Sequence, residues 1–302
     1  MEINQINLCA SLRPLRLRVY SGYLCAMSDI HIFNHRAMAT QFQVRIANEE
    51  KNYAAQAAQA AFALTDHLES LLSRFRANSD IARIAQLAPG EQLRLSEPVF
   101  ACLNIAKKME AATRGAFSVS AAALKFQPAP PQWTLLREQF SIRCDGGKLE
   151  FDLGAIGKGF ALDRMADLLR EWECPAFLLV AGGSSILAGD PPAETIGWSC
   201  GLGDDHSLQR YWLARGSLSG SGLAVQGQHI FDPRTGAAAR RIHRAWALAD
   251  SAAESDALST ACMVWDETET AGLMGESPDY LVFLEETGAW HCFGRRVVPP
   301  RA

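Results

Sequence analysis

The sequence predicts an α+β fold, a mixture of helices and sheets in which the two kinds of element do not alternate strictly. Two stretches near the start of the chain already show both kinds. Polar and apolar residues alternate at residues 40–46, which indicates a strand, whereas residues 52–75 are rich in Ala and Leu and lack Gly and Pro, which indicates a long helix. The elements that follow come in irregular order, so a regular βαβ architecture is not expected.

The rest of the first half contains a second predicted helix and a long loop. Residues 96–115 begin with Ser96 as the N-cap and Pro98 in the first turn, and Gly115 follows the last turn. Residues 127–148 contain several Pro and Gly residues, which are typical of loops and turns. We interpret this segment as a divide between two halves of the chain.

The second half combines two helices with short strands. One helix is predicted at residues 158–172, with an apolar stripe along one face, and the other at residues 251–265, with Asp250 or Ser251 as its N-cap. The strands of this half are predicted at residues 148–153, 176–183 and 244–250, with a hairpin at residues 280–293.

Composition and charge exclude two classes of function. The chain has 302 residues, of which 48% are hydrophobic, and a formal net charge of −4. This mild acidity provides no basic surface, so a nucleic-acid partner is not expected. The sequence contains no apolar run long enough to cross a bilayer, so a transmembrane segment is not expected either.

The cysteines and the N-terminal residues bear on location and domain organisation. Among the eight cysteines there is no CxxC pair, and most lie in apolar segments, so we predict free thiols in a reducing compartment, no zinc site and a cytoplasmic location. Residues 1–32 lack the apolar core of a signal peptide and are predicted to be an N-terminal extension, either disordered or, for residues 1–26, upstream of a true start at Met27. Residues 33–302 are predicted to form the functional domain.

The stretch DLGAIGKGFALDR, residues 152–164, places Gly residues and a Lys at the start of a predicted helix. It is not a P-loop, because Asp152 stands where that motif needs Gly and Gly159 stands where it needs Ser or Thr. Its glycine spacing also differs from that of the dinucleotide fingerprint. Free N–H groups at the helix start and the charge of Lys158 suit a phosphate group. The alternative is a strand-to-helix turn whose glycines permit close packing.

The stretch SDALSTA, residues 255–261, places Asp256 and Thr260 on one face of the predicted helix, with Ser259 beside them. A carboxylate together with hydroxyl and carbonyl oxygens suits a hard cation such as Mg²⁺. The alternative is an ordinary surface Asp followed by a Thr whose hydroxyl bonds back to its own helix.

The stretch HIFDPRTG, residues 229–236, is predicted to be a short apolar strand that ends in a turn at Pro233 and Gly236. His229 comes just before this turn. A neutral imidazole in that place could act as a general base, and the alternative is a histidine with a structural role.

In this order, the three stretches resemble the hallmark sequences of the ApbE family of FAD:protein FMN transferases, which look like DLGGIAKGYAVD, HIIDPRTG and ADALATA. The resemblance extends over about residues 33–293, nearly the whole chain. Further pieces that fit it are residues 38–46, 71–85, 115–124 and 179–190. The resemblance implies an ApbE-like α+β fold of two lobes with the flavin site between them.

The resemblance also implies a function, the Mg²⁺-dependent transfer of the FMN moiety of FAD to a Ser or Thr hydroxyl of an acceptor flavoprotein subunit, with release of AMP. In this reaction His229 would be the catalytic base. Asp256 and Thr260 would bind Mg²⁺ through their side chains, and Ser259 and the carbonyl of Ala155 would complete the protein ligands. The residues implied to contact FAD are Met38, Phe75, Ser118, Asp152 and Lys158.

Several departures from the family pattern bear on FAD affinity and on acceptor docking. Phe75 replaces a more usual Tyr or Trp, and Ser118 stands where Asp usually follows GAF. Residues 125–135 lack the usual WGFG-type segment, and the stretch SGSGLAVQGQ before His229 lacks the Arg and the aromatic of the family's SGDYRR pattern.

These departures leave two alternative functions open, an FAD pyrophosphatase that produces FMN and AMP, and a non-catalytic FAD-binding protein. The resemblance also leaves a second location open. Many members of the family are lipoproteins, so an exported or membrane-anchored form is the alternative to a cytoplasmic one.

Overall fold

Helices and sheets are mixed without strict alternation in the computed structural model, which confirms the predicted α+β class. The structure describes residues 18–19, 30–127, 129–202, 209–222, 230–239, 241–276, 280–286 and 289–294. Within these ranges, no helix has both the length and the apolar character needed to cross a membrane.

The predicted helices are all present, and their ends agree with the prediction to within one turn. In chain order, the α-helices of the described residues are α1 (Lys51–Leu72), α2 (Asp80–Ile84), α3 (Glu97–Ala112), α4 (Gly157–Glu171), α5 (Ala252–Cys262) and α6 (Glu267–Glu276). Ser251 is the N-cap of α5, and its hydroxyl accepts a hydrogen bond from the Glu254 N–H. Ser96 is the N-cap of α3 by position, but its hydroxyl donates to Asp80 instead.

Among the described residues, the strands form one large sheet and two small ones, all antiparallel. In chain order they are β1 (Arg18–Val19), β2 (Ile30–Ala37), β3 (Thr40–Ala47), β4 (Gln92–Arg94), β5 (Gln132–Leu136), β6 (Ser141–Gly146), β7 (Phe177–Ala181), β8 (Ser185–Ala188), β9 (Trp198–Leu202), β10 (Gln209–Leu213), β11 (Gly216–Gly222), β12 (Arg244–Ala249), β13 (Leu281–Glu286) and β14 (Ala289–Gly294). The large sheet has the order β14-β13-β12-β11-β8-β7-β3-β2, and the small sheets have the orders β1-β9-β10 and β4-β6-β5. The predicted strands at β3, β7 and β12 and the predicted hairpin β13–β14 are thereby confirmed.

Two predictions around residues 127–148 are wrong. This segment, predicted as loop, contains the paired strands β5 and β6. Residues 148–153, predicted as a strand, are irregular. The reason is that Asp152 bonds to loops rather than to a neighbouring strand: its N–H donates to the carbonyl of Val119, and its carboxylate accepts from the N–H of Gly154.

Both faces of the large sheet are covered, as the central strand β7 shows. Leu179 and Ala181 belong to a hydrophobic cluster with α1, α3, α4 and α5, whereas Leu178 and Val180 belong to a second cluster with β9 and β10. The continuous apolar sequence of β7 therefore reflects burial on both faces. The first cluster draws residues from both sides of the segment 127–148, so the two predicted halves share one core.

The predicted domain boundary at residue 33 falls inside a strand. β2 begins at Ile30 and pairs with β3 over its whole length, so the boundary belongs before this residue. Within the predicted extension, Arg18 and Val19 pair with β9. The other residues of 1–29 lie outside the described part of the chain.

Five of the six cysteines in the described residues are buried free thiols, as predicted, and Cys292 is exposed. Burial raises the pKa of the Cys102 and Cys200 thiols to about 12. These two thiols therefore stay protonated at neutral pH and are poor nucleophiles.

Candidate active site

The stretch DLGAIGKGFALD forms a tight turn and the start of α4. Asp152 Oδ1 accepts a hydrogen bond from the Gly154 N–H at 2.9 Å, which closes the turn. Lys158, in the first turn of the helix, folds back so that its Nζ donates to the Gly154 carbonyl at 3.0 Å. Asp152 and Lys158 therefore lie on the same partly exposed turn, and Ala155 lies between them in the chain.

Gly159 allows α4 to cross α5 at very short range. A Cβ atom at this position would lie 2.1 Å from the carbonyl oxygen of Ala252 and 2.7 Å from the nitrogen of Ala253. These are backbone atoms, which cannot rotate away as a flexible side chain can. The close approach also brings the Gly159 N–H within 2.8 Å of Asp256 Oδ2. The close-packing alternative is therefore confirmed for Gly159, and the same contact builds the site.

Each of the two helices has an Asp side chain that accepts hydrogen bonds from the first turn of the other helix. Asp256 of α5 accepts from the Gly159 N–H in the first turn of α4. In return, Asp163 of α4 accepts from the N–H groups of Ala252 and Ala253 in the first turn of α5, at 2.7 and 2.9 Å. Each carboxylate satisfies N–H groups that have no intrahelical partner and faces the positive end of a helix dipole. At Gly159, the anion expected at the start of α4 is thus a carboxylate of the protein itself.

Asp163 makes the stability of this helix pair depend on pH. Burial raises its pKa from 3.8 to about 6, although the hydrogen bonds from α5 and from the Ser251 hydroxyl oppose the shift, while the charge of Asp256 adds to it. An acid with a raised pKa in the folded state binds its proton more tightly when folded. Its stabilising contribution is therefore complete below about pH 4 and is lost as the pH rises through about 6.

We expect Asp163→Asn to remove this pH dependence. The Asn side chain does not titrate, and its NH₂ group must face one of the donors of α5, so the variant is also less stable by about 1–2 kcal/mol. Urea unfolding of both proteins between about pH 4 and 6.5 measures the effect. The free energy of unfolding of the wild type should decline relative to that of the variant as the pH rises, and parallel curves would contradict the prediction.

The second oxygen of Asp256 is held by Ser185, the first residue of β8. The Ser185 hydroxyl donates to Asp256 Oδ1 at 2.6 Å, and Asp256 is only 5% exposed. The turn before β8 packs tightly, since Gly182 has a φ of +61° and a Cβ there would lie 2.5 Å from the Thr40 hydroxyl oxygen. Met38 lies in the turn that precedes Thr40. The predicted flavin contact Met38 is therefore at the same end of the sheet as Asp256.

Three hydroxyl groups cluster one turn further along α5. The Ser259 and Thr260 hydroxyls donate to the carbonyl of Asp256, at 3.0 and 3.1 Å. Ser221 Oγ, near the end of β11, lies 2.9 Å from Ser259 Oγ and 3.2 Å from Thr260 Oγ1. The alternative interpretation is thus right that Thr260 bonds back to its helix, but wrong that Asp256 is a surface residue. These residues form an oxygen-rich group beside a buried carboxylate.

The loop after α1 contributes the other side of the turn at Asp152. Arg74 Nη1 lies 3.2 Å from Asp152 Oδ2, and its guanidinium carbon lies 4.8 Å from the centre of the Phe75 ring. Phe75 is 85% exposed, so its ring faces solvent beside this turn. Ser118 precedes Val119, whose carbonyl accepts the Asp152 N–H at 2.8 Å. Phe75, Ser118 and Asp152 are therefore brought together around this turn.

Arg234 holds the DPRTG turn. Its guanidinium donates to both carboxylate oxygens of Asp232, at 2.9 and 2.8 Å, and also to Glu269. Burial alone would raise the pKa of Asp232. The hydrogen bonds from Arg234 to Asp232 outweigh this effect and lower the pKa below its ordinary value. Packing of the Arg234 side chain over Gly115 anchors the turn to the GAFSVS segment. His229, the predicted base just before this turn, lies outside the described residues.

Sequence reasoning missed four residues that hold the site together, namely Arg74, Asp163, Ser185 and Ser221. Each acts through a partner that is distant in the sequence, so the neighbours of Arg74, Asp163 and Ser185 gave no chemical signal. A signal existed for Ser221 alone, because Ser recurs at every second position of β11.

The donor set beside α5 fits a hard divalent cation. Asp256 offers a buried carboxylate, and Ser221, Ser259 and Thr260 offer hydroxyl oxygens. Mg²⁺ prefers such oxygen ligands and keeps several waters, whereas Zn²⁺ prefers His and Cys. In the part of the chain that the structure describes, no three His, Cys, Asp or Glu side chains are grouped so as to hold a metal ion. A cation here would therefore have one carboxylate, neutral oxygens and water as ligands.

The chain matches one protein family along most of its length. A sequence model of the ApbE family matches residues 38–284. The chain belongs to the ApbE family. The resemblance of its three hallmark stretches is thereby confirmed, and the residues of the candidate site lie within the matched range.

Curated ApbE-family relatives and solved structures agree with this assignment. A relative from Treponema pallidum, named FAD:protein FMN transferase, is 24% identical over an alignment of 318 positions, gaps included, which covers 87% of this chain and 83% of the relative. A relative of the same name from Klebsiella pneumoniae is 24% identical over an alignment of 247 positions, which covers 70% of this chain and 75% of the relative. The crystal structure of the ApbE protein from Thermotoga maritima has a TM-score of 0.75 at 20% identity and covers 88% of this chain and 97% of its own. This last likeness establishes the ApbE fold.

Proposed function

We propose that this ApbE-family chain transfers the FMN moiety of FAD to a Ser or Thr hydroxyl of an acceptor protein, with bound Mg²⁺ and release of AMP. The chain is thus an enzyme of the transferase class. The observation that carries the proposal is the placement of Asp256: its buried carboxylate accepts a hydrogen bond from the start of α4, and its backbone carbonyl accepts from the hydroxyls of Ser259 and Thr260. The shared name of the two curated relatives supports the same reaction.

The turn before α4 supports the binding of FAD. Lys158 and Arg74 bring two positive charges to this turn, which suits the pyrophosphate of a dinucleotide. Asp152 is oriented by Arg74 and by the turn itself, so its free lone pairs can accept hydrogen bonds from the nucleotide. The exposed ring of Phe75 offers an apolar surface to the flavin, and Met38 lies in the turn at the same end of the sheet as Asp256.

The proposed Mg²⁺ ligands are the side chains of Asp256, Ser259 and Thr260 and the carbonyl of Ala155. The ion, when bound, would neutralise charge on the pyrophosphate oxygens. The protein supplies a preorganised carboxylate, because the Gly159 N–H and the Ser185 hydroxyl each fix one oxygen of Asp256.

His229 completes the proposal as the general base. It takes the proton of the acceptor hydroxyl as the hydroxyl oxygen forms a bond to the phosphorus of the FMN moiety. The bond between this phosphorus and the oxygen that bridges it to AMP breaks, and AMP leaves. The acceptor gains a phosphoester-linked FMN, and the proton is held on His229.

Mass spectrometry of an acceptor protein incubated with the chain, FAD and Mg²⁺ tests this function. We expect the acceptor to gain the mass of one FMN, an equal amount of AMP to appear, and both products to be absent when EDTA is added. An acceptor whose target Ser or Thr is replaced by Ala is the matched control and should stay unlabelled.

The other outcomes of this experiment identify the alternatives. Free FMN and AMP without labelled acceptor would indicate the pyrophosphatase, in which water replaces the acceptor hydroxyl. Intact FAD that remains bound would indicate a non-catalytic FAD-binding protein. Absence of any FAD binding would contradict all three functions.

A further inference from the structure

A row of serines joins β11 to α5. On β11 they occupy every second position and on α5 every fourth, so each set lies on one face of its element. The serines are Ser217, Ser219 and Ser221 on the strand, and Ser251, Ser255 and Ser259 at the cap and along the helix. Ser217 Oγ and Ser219 Oγ lie 3.0 and 2.8 Å from Ser255 Oγ. The next serine along the strand, Ser221, reaches the hydroxyl cluster.

The hydroxyl protons of this cluster can be assigned. Ser259 and Thr260 donate their single hydroxyl protons to the carbonyl of Asp256, so neither has a proton left for Ser221. Ser221 therefore has the only proton available for its contacts with these two oxygens, and it donates this single proton either to Ser259 Oγ at 2.9 Å or to Thr260 Oγ1 at 3.2 Å. The oxygen that accepts this proton uses the lone pair that faces β11. The remaining lone pairs of Ser259 and Thr260 are left for another partner.

We propose that Ser221 positions the hydroxyls of Ser259 and Thr260 and thereby sets the affinity of this site for a divalent cation. The inference rests on the proposed function, because it takes Asp256, Ser259 and Thr260 as the cation ligands. Ser221 is a positioning residue in this scheme. It limits the rotation of two neutral ligands, so less conformational freedom is lost when a cation binds.

Binding of Mn²⁺ to the full chain without FAD, followed by the EPR signal of the free ion and by competition with Mg²⁺, tests the inference. Ser221→Ala is expected to weaken Mn²⁺ binding by about tenfold, the effect of one hydrogen bond. Ser221→Thr keeps the hydroxyl and should restore the affinity to within about threefold of the wild type. Ser219→Ala is the matched control, since Ser219 lies on the same face of β11 but contacts Ser255; its affinity should stay within about twofold.

The outcomes separate this inference from the proposed function. If Asp256→Asn weakens Mn²⁺ binding but Ser221→Ala does not, the inference is overturned and the proposed function stands. If Asp256→Asn and the wild type bind Mn²⁺ equally, the cation part of the proposed function fails, and the inference fails with it. An equal loss in Ser219→Ala and Ser221→Ala would assign the effect to the packing of β11 on α5 and would also overturn the inference.

Discussion

Asp256→Asn is expected to lower the rate of FMN transfer by about 1,000-fold, equivalent to about 4 kcal/mol of transition-state stabilisation. The substitution keeps the shape of the side chain but removes its negative charge, which the proposed cation needs. It also replaces one accepting oxygen by an NH₂ group. This group would face either the Gly159 N–H at 2.8 Å, which cannot accept a hydrogen bond, or the Ser185 hydroxyl at 2.6 Å, which would have to turn from donor to acceptor.

The initial rate of acceptor labelling, measured across a range of Mg²⁺ concentrations, checks this prediction. Asp80→Asn is the matched control, because Asp80 is 6% exposed, much as Asp256 is, but its carboxylate binds Ser96 and Arg83. The control should lose stability and still transfer FMN within about threefold of the wild-type rate. Transfer at the wild-type rate by Asp256→Asn would show that this carboxylate takes no part in the reaction.

Gly159→Ala is expected to destabilise the fold by about 3 kcal/mol or more. The new Cβ would lie 2.1 Å from the carbonyl oxygen and 2.4 Å from the carbonyl carbon of Ala252, far inside van der Waals contact. Because both obstacles are backbone atoms, α4 and α5 must move apart. The movement would lengthen the hydrogen bond from residue 159 to Asp256, so FMN transfer should fall together with stability.

Gly157→Ala is the matched control for this prediction, in the same turn of the same helix. Its Cβ would lie 3.6 Å from the Cβ of Leu153, an ordinary contact, so the variant should be as stable as the wild type or more stable by up to about 1 kcal/mol. Urea unfolding of both variants measures the difference. Equal free energies of unfolding for Gly159→Ala and Gly157→Ala would mean that α4 and α5 do not meet as closely as described.

Local patterns were sufficient for the helices and for the buried strands. α1 could be predicted because an Ala-rich stretch without Gly or Pro has one dominant conformation, and β7 because a short apolar run ended by glycines suits a strand buried on both faces. The strand predictions failed where the neighbouring strands decide whether a segment becomes a strand. Residues 148–153 alternate like a strand but bond to loops, whereas β6 contains turn-forming residues but has β4 and β5 on either side.

The candidate site shows the same division. Asp256, Ser259 and Thr260 could be selected from their spacing on one helix, and Lys158 from its place at a helix start. Sequence reasoning treated the glycines and the phosphate as two alternative explanations of one motif. In the structure Gly159 allows the close packing of α4 on α5. The same close contact, which leaves no room for a Cβ atom, also brings the Gly159 N–H into a hydrogen bond with Asp256.

The sequence by itself determined the family and the α+β class and predicted Lys158, Asp256, Ser259 and Thr260 as site residues, because each of these depends on short contiguous patterns. Only the tertiary structure decided how these residues are held. Asp256 takes one donor from Gly159, 97 residues away in the chain, and the other from Ser185, 71 residues away. Such partners meet only when α4 and α5 cross on the large sheet, and no pattern along the chain encodes a distance between elements that are far apart in sequence.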